Sequence, residues 1–97
     1  MAILTDSELH AAMAQRPHWA ARDNALERSL RAPTFLEGVN LVVQVARAAE
    51  ERDHHPDIDI RWTTVTLRLS THSEGGITAK DVELAGAIDA IADDLGL

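Results

Sequence analysis

One local signature recurs three times and largely dictates what this chain can fold into. Thr5-Asp6-Ser7-Glu8, Thr34-Phe35-Leu36-Glu37 and Thr78-Ala79-Lys80-Asp81 each place a hydroxyl three residues before a carboxylate. In such a capping box the hydroxyl accepts from an orphan N–H of the first helical turn, and the carboxylate reaches back to the N–H of the cap. Three helices are therefore predicted. Leu4 with Leu9 and Ile77 with Val82 flank the first and third boxes as hydrophobic staples. The first helix carries Leu9, Ala12 and Met13 on one face and is stopped by Pro17. The second runs to about Arg52 with Phe35, Val39, Val42, Val43 and Ala46 at helical spacing. The third buries Leu84, Ala85, Ile88, Ile91, Ala92 and Leu95.

The intervals between the boxes have room for hairpins. Trp19 to Arg22, a polar Asp23-Asn24 turn, and Ala25 to Arg31 read as the first. The second is clearer: Ile58, Ile60 and Trp62 alternate with polar residues, as do Val65, Leu67 and Leu69, with Thr63-Thr64 between the runs. Period-two alternation buries one face of a sheet and leaves the other polar. The fold class is α+β, in the order α-β-β-α-β-β-α, with helices over one face of a four-stranded antiparallel sheet and residues 1–97 as a single domain. Gly75-Gly76 marks a flexible loop before the last helix and lacks the Gly-x-x-x-x-Gly-Lys setting of a phosphate loop.

Composition narrows the chemistry. The chain has 97 residues and no cysteine, which excludes disulfides, thiolate metal sites and a thiol nucleophile. Nine Lys and Arg against sixteen Asp and Glu give a net charge of −7, which argues against direct nucleic-acid contact and against an anionic membrane surface. Three aromatics, Trp19, Phe35 and Trp62, are too few for base-stacking platforms. The N-terminus lacks a basic region followed by an apolar run, and no apolar stretch nears the roughly 20 residues of a membrane span. A cytoplasmic protein is the default expectation. A core this small also favours a homodimer or homotetramer, in which subunit contacts add burial.

The histidines are where chemistry concentrates. His54-His55-Pro56 falls between the second helix and the third strand, and His72 falls at the end of the fourth. Adjacent residues in extended backbone point apart, so His54 and His55 cannot both be core. Pro56 keeps His55 extended and gives the pair a set direction. Because the last two strands form a hairpin, His72 is expected beside the His54-His55 corner, lining one cleft with it. Neighbouring histidines rarely both reach one ion, so no metal is expected. Imidazoles suit proton transfer near neutral pH, provided a partner sets the tautomer. Glu50, one turn before His54, is a candidate for that partner. His10 and His18, on the first helix and its exit, are expected to be plain surface residues.

These residues resemble a known pattern. Glu50-x-x-x-His54-His55-Pro56, then Trp62, then His72, then Asp81 is similar to the signature of the pterin-4a-carbinolamine dehydratase family, over roughly residues 4 to 95. The strings Ala49-Glu50-Glu51-Arg52-Asp53-His54-His55-Pro56 and Leu69-Ser70-Thr71-His72 strengthen the likeness. The resemblance implies a hydro-lyase that dehydrates 4a-hydroxytetrahydropterin (4a-hydroxytetrahydrobiopterin) to the quinonoid dihydropterin, recycling the cofactor of aromatic amino acid hydroxylases. It implies no cofactor beyond the pterin substrate, and dimers or dimers of dimers.

The resemblance also assigns roles. His54 and His72 would transfer protons; His55 would bind the pterin and deliver a proton to one stereoisomer; Glu50 would orient an imidazole. Asp81 would bond the pterin or a histidine, against the simpler reading of a helix cap. Pro56, Ser70, Thr71 and Lys80 complete the implied substrate-binding set. Trp62 belongs to the signature, yet its alternation with Ile58 and Ile60 favours the core. Two positions depart from some relatives: Ile58 replaces an aromatic, and Lys80 replaces an Arg, a point charge in place of a bidentate fork. Two other functions are compatible with the same fold: a dimerisation or assembly cofactor with no enzymatic role, and dehydration of another pterin, such as one in molybdopterin metabolism. A pure binding module would not need all three histidines.

Overall fold

A computed structural model of the chain describes residues 2–97. In chain order the elements are α1 (Asp6–Ala14), β1 (Ala20–Arg22), β2 (Ala25–Arg31), α2 (Phe35–Arg52), β3 (Asp57–Arg61), β4 (Thr64–Leu69) and α3 (Ala79–Asp94). This is the expected α+β order. Strands lie in the order β1-β2-β4-β3, each pair antiparallel. Long-range pairing of β2 with β4 makes the centre of the sheet, and the two hairpins extend it outward.

Each helix begins where its threonine places it. Thr5 and Thr78 form reciprocal boxes with Glu8 and Asp81. Thr34 caps α2 by accepting from the Glu37 N–H (3.1 Å), but the Glu37 carboxylate accepts from the Thr34 hydroxyl (2.9 Å) and not from the backbone. The second box is therefore only half of the expected motif.

The core sits between one sheet face and α2 and α3. Val65, Leu67 and Leu69 of β4 are fully buried, as the alternation predicts, and meet Leu26 and Leu30 of β2. Each such side chain contributes roughly 1.5–3 kcal/mol relative to its exposed state. The opposite face is polar: Ser29 hydrogen-bonds Thr66 (2.8 Å) and Glu27 pairs with Arg68 (3.4 Å), both directly across from one another. Leu84, Ala85, Ile88 and Ala92 of α3 are buried, with Ile91 and Leu95 half-buried at the margin.

Three expectations about the core need correction. The buried stripe of α2 is Gly38, Leu41, Val45, Ala48 and Ala49, while Phe35, Val43 and Ala46 are exposed. The small residues are the reason: a Cβ added at Gly38 would already lie 3.5 Å from Val65 Cγ2, so this face lets the helix backbone come close to the sheet. Every residue of β3 is exposed, Ile58 and Ile60 included. Strand β3 is an edge strand, beyond the part of the sheet that the helices cover. Trp62 is not core but 74% exposed. It opens the β3–β4 turn, because Arg61 pairs with Thr64 and the two-residue loop is Trp62-Thr63, not Thr63-Thr64. Its φ of 52° is a left-handed conformation that a bulky side chain seldom adopts. The other tight turn, Asp23-Asn24, has φ of 51° and 60°, the paired positive values that join twisted strands and that these residue types tolerate.

One charged group lies on the inner face of β2. Arg28 is 8% exposed and pairs with Asp89 of α3 at 2.5 Å. The same Asp89 oxygen accepts from the Trp19 indole N–H at 2.8 Å, so one carboxylate fastens β2, α3 and the segment before β1. Among the described residues, no helix is long and apolar enough to cross a membrane.

Candidate active site

Helix α2 ends in a way that aims the first histidine. Asp53 adopts φ 47°, ψ 44°, and the chain reverses in a Schellman arrangement: the Asp53 N–H donates to the Glu50 carbonyl (3.2 Å) and the His54 N–H to the Ala49 carbonyl (3.1 Å). The backbone of His54 is thus tied to the helix it has just left. Pro56 then commits the chain to extended structure, and β3 starts at Asp57.

His72 is aimed by a second device. Thr71 and Gly76 form an isolated bridge, with the Thr71 N–H donating to the Gly76 carbonyl (2.9 Å) and the Gly75 N–H to the Thr71 carbonyl (2.9 Å). Gly75 supplies the φ of 75° that closes this hydrogen-bonded turn. His72 is the first residue inside it.

The two devices face each other across a cleft of about 240 Å³ lined by Asp53, His54, His55, Ser70, Thr71, His72, Ser73 and Lys80. All three predicted histidines line it. So do Ser70, Thr71 and Lys80 of the predicted binding set. Glu50, Pro56 and Asp81 do not. His10 and His18 are exposed and do not line it. Roomier hollows lie at Arg31, Pro33 and Trp62 (about 360 Å³) and along Leu36, Val39 and Val43 (about 460 Å³). A third, also of about 360 Å³, lies among Glu8, Arg16 and Glu83; no histidine lines any of the three, so volume alone does not locate the histidine cluster.

Behind the cleft stands Asp81, completely buried at the third position of α3. Its Oδ1 lies 2.6 Å from His54 Nε2. Its Oδ2 accepts from the Thr71 hydroxyl (2.8 Å) and from the Thr78 backbone N–H (2.9 Å). A buried carboxylate is tolerable only when donors surround it, and three do. Asp81 had been open to three readings, a bond to the pterin, a bond to a histidine, or a cap; its side chain serves the histidine and the cap at once, one oxygen to each. Glu50 does not reach His54. It is exposed and pairs with His55 Nε2. The side chain of His54 is 11% exposed and that of His55 is 56% exposed. Ser70 donates to the Asn24 carbonyl (3.0 Å), and Arg68 donates to that of Asp23 (3.0 Å), so β4 holds the β1–β2 turn.

Two lining residues escaped sequence reasoning. Asp53 had a signal, since an Asp between a helix end and His-His-Pro is well suited to a left-handed turn. Ser73 had none. The arrangement brings together two imidazoles backed by carboxylates, from the α2–β3 connection, and an exposed third from the turn after β4. Such a set can take up one proton and deliver another around a single small molecule.

Comparison with known proteins points the same way. Residues 2–91 match the family model described as pterin 4 alpha carbinolamine dehydratase. A protein of Mycobacterium sp. (strain KMS), provisionally named a pterin-4-alpha-carbinolamine dehydratase, is 55% identical over 93 residues, covering 96% of this chain and 99% of its own length. A similarly named protein of Mycobacterium avium (strain 104) is 54% identical, over 94% of this chain and 97% of its own. The crystal structure of a transcriptional coactivator/pterin dehydratase from Brucella melitensis superimposes with a TM-score of 0.89 at 35% identity, covering 93% of this chain and 98% of that one. A pterin dehydratase-like protein identified as a RuBisCO assembly factor in the alpha-carboxysome shares the fold at a TM-score of 0.63 and 19% identity, covering 76% of this chain and 86% of that one. The matches by sequence and by structure converge on a single result: this chain belongs to the pterin-4a-carbinolamine dehydratase family.

Proposed function

We propose that the cleft dehydrates 4a-hydroxytetrahydropterin to quinonoid dihydropterin and water, returning the pterin cofactor of aromatic amino acid hydroxylases to use. The observation that carries this reading is the His54–Asp81 pair, buried on one side and open to a cleft with two further imidazoles on the other. Loss of water from the carbinolamine requires two proton movements. The bond from C4a to its hydroxyl breaks as a proton reaches the departing oxygen, and a ring nitrogen gives up its proton as the new double bond forms. A neutral imidazole accepts the second and a protonated imidazole supplies the first, so atoms and charge balance with no resident metal or cofactor.

In this reading His54 and His72 are the proton-transfer pair, and His55, held by Glu50, binds the pterin and serves one stereoisomer. Ser70, Thr71 and Lys80 line the pterin pocket; Pro56 sets the direction of His55 from outside it. The protein works as a homodimer or homotetramer. Support for self-association comes from apolar side chains left exposed on α2 (Phe35, Leu36, Val43) and along the β3 edge (Ile58, Ile60). Light scattering on the purified protein is expected to give a multiple of the 10.6 kDa chain mass.

The test is direct. Loss of the 4a-hydroxypterin absorbance is followed with and without protein. Acceleration over the spontaneous reaction is expected. His54→Ala or His72→Ala should each reduce the catalysed rate by at least about a hundredfold, the lower bound for a general acid or base. No acceleration by the unaltered protein would remove the enzymatic reading altogether.

A further inference from the structure

Thr71 and Thr78 are both buried, and their hydroxyl oxygens are 2.7 Å apart. Each hydroxyl has one proton to give. Asp81 Oδ2 accepts from the Thr71 hydroxyl, and an ionised carboxylate has no proton to return, so the Thr71 proton is spent there. The bond between the two threonines therefore runs one way: Thr78 donates and Thr71 accepts. Thr78 Oγ1 accepts in turn from the Lys80 N–H (3.3 Å), which lies in the first turn of α3. The chain of donation is thus Lys80 N–H to Thr78, Thr78 to Thr71, Thr71 to Asp81.

From this polarity we infer that Thr71 and Thr78 are positioning residues: they hold Asp81 Oδ2, and so keep Oδ1 aimed at His54 Nε2, where the carboxylate fixes the tautomer. With Oδ2 filled by the Thr71 hydroxyl and the Thr78 N–H, Oδ1 is left to one donor, the proton on His54 Nε2. Neutral His54 is then held with its proton on the buried nitrogen and its lone pair on Nδ1, which has no protein partner among the described residues. Successive hydrogen bonds of one polarity strengthen one another in a site from which water is excluded. Neither threonine needs to touch the reacting atoms to matter. The consequence for catalysis rests on the dehydratase reading; the tautomer itself does not.

The experiment separates the two. Long-range ¹H–¹⁵N spectra of the unaltered protein, recorded without pterin where His54 is neutral, should show His54 in the Nε2–H form. An Nδ1–H form would overturn the inference, whatever the protein catalyses. Thr71→Val keeps the shape and deletes the hydroxyl. It should loosen the carboxylate, give a mixture of tautomers and reduce kcat about 10–100-fold, the range typical when the partner behind a metal-bound imidazole is removed. Thr71→Ser should restore both readouts. Thr78→Val, which leaves the Thr78 N–H in place, should shift the tautomer ratio in the same direction by less. A His54 spectrum and a kcat both unchanged in a folded Thr71→Val protein would also overturn the inference. If the unaltered protein shows the Nε2–H form but no dehydratase activity, the relay stands and the proposed reaction does not.

Discussion

Asp81 and His54 meet at 2.6 Å across the boundary between a helix start and a helix end. The carboxylate belongs to the first turn of α3, and the imidazole follows the last turn of α2. One side chain thus serves both the start of a helix and the orientation of the His54 imidazole.

Asp81→Ala should therefore fail in two ways. Loss of the cap and of the acceptor for buried donors should lower stability by about 2–3 kcal/mol, read from urea unfolding. Asp81→Asn preserves shape and can still accept at one atom, so it should be less destabilising. It should nevertheless lose most of the dehydratase rate, because an amide cannot take every donor that surrounds this position. Equal rates for Asp81→Asn and the unaltered protein would separate His54 from its assigned partner.

Asp53 makes a backbone prediction. At φ 47° a β-branched residue is strongly disfavoured and glycine is at ease. Asp53→Val should cost about 1–2 kcal/mol, and Asp53→Gly should be near neutral in thermal unfolding. Because the residue also lines the cleft, the glycine variant isolates the contribution of its carboxylate to KM.

Arg28 and Asp89 form the pair most protected from water after the site itself. Asp89→Ala would strand a buried guanidinium and the Trp19 indole N–H together. Breaking such a pair from one side costs about 3–5 kcal/mol, and the 21% exposure of Asp89 places the expectation near the low end. Trp19 fluorescence should report the change in the folded state, and denaturant midpoints its cost. A loss below about 1 kcal/mol would mean that water replaces the carboxylate freely.

Glu8 gives the pH dependence a sign. The Thr5 backbone N–H, and then its hydroxyl, hold the Glu8 carboxyl below the ordinary carboxylate range. A carboxyl lowered in the folded state contributes stability above its unfolded pKa and loses that contribution as pH falls through the folded value. Helix α1 should therefore fray as pH falls below about 4.5, the ordinary carboxylate value, before the sheet does. Amide exchange of α1 measured across that range should show protection falling with pH, and Glu8→Gln should flatten the dependence.

How legible this was in the sequence varied with the physics. The caps at Thr5 and Thr78 were readable because capping is local, decided within four residues. The burial of Val65, Leu67 and Leu69 was readable because a central strand has a period of two and helices above it. Strand β3 has the same period and no cover, and a pattern in one strand does not reveal which strand ends the sheet. Helix α2 misled for a different reason. Its larger apolar residues form one stripe, but Gly38, Ala48 and Ala49 permit the closer approach, and a hydrophobicity count overlooks small residues. The three histidines were legible as a set by spacing. Their partners were less so: a helical turn suggested Glu50 for His54, although it meets His55, and Asp81, 27 residues from His54, was offered as a histidine partner only by the resemblance.

The distribution of the site along the chain has a consequence for its synthesis. All three histidines lie between residues 54 and 72, yet the carboxylate that holds His54 and the threonine that caps α3 lie at 81 and 78. A nascent chain that has emerged only as far as Gly76 already carries every imidazole and can pair β2 with β4, but it has no Asp81 to set His54. The His54–Asp81 pair is therefore assembled late, when α3 docks. A ribosome-tethered fragment ending before residue 78 would be a sheet with histidines, not yet a site.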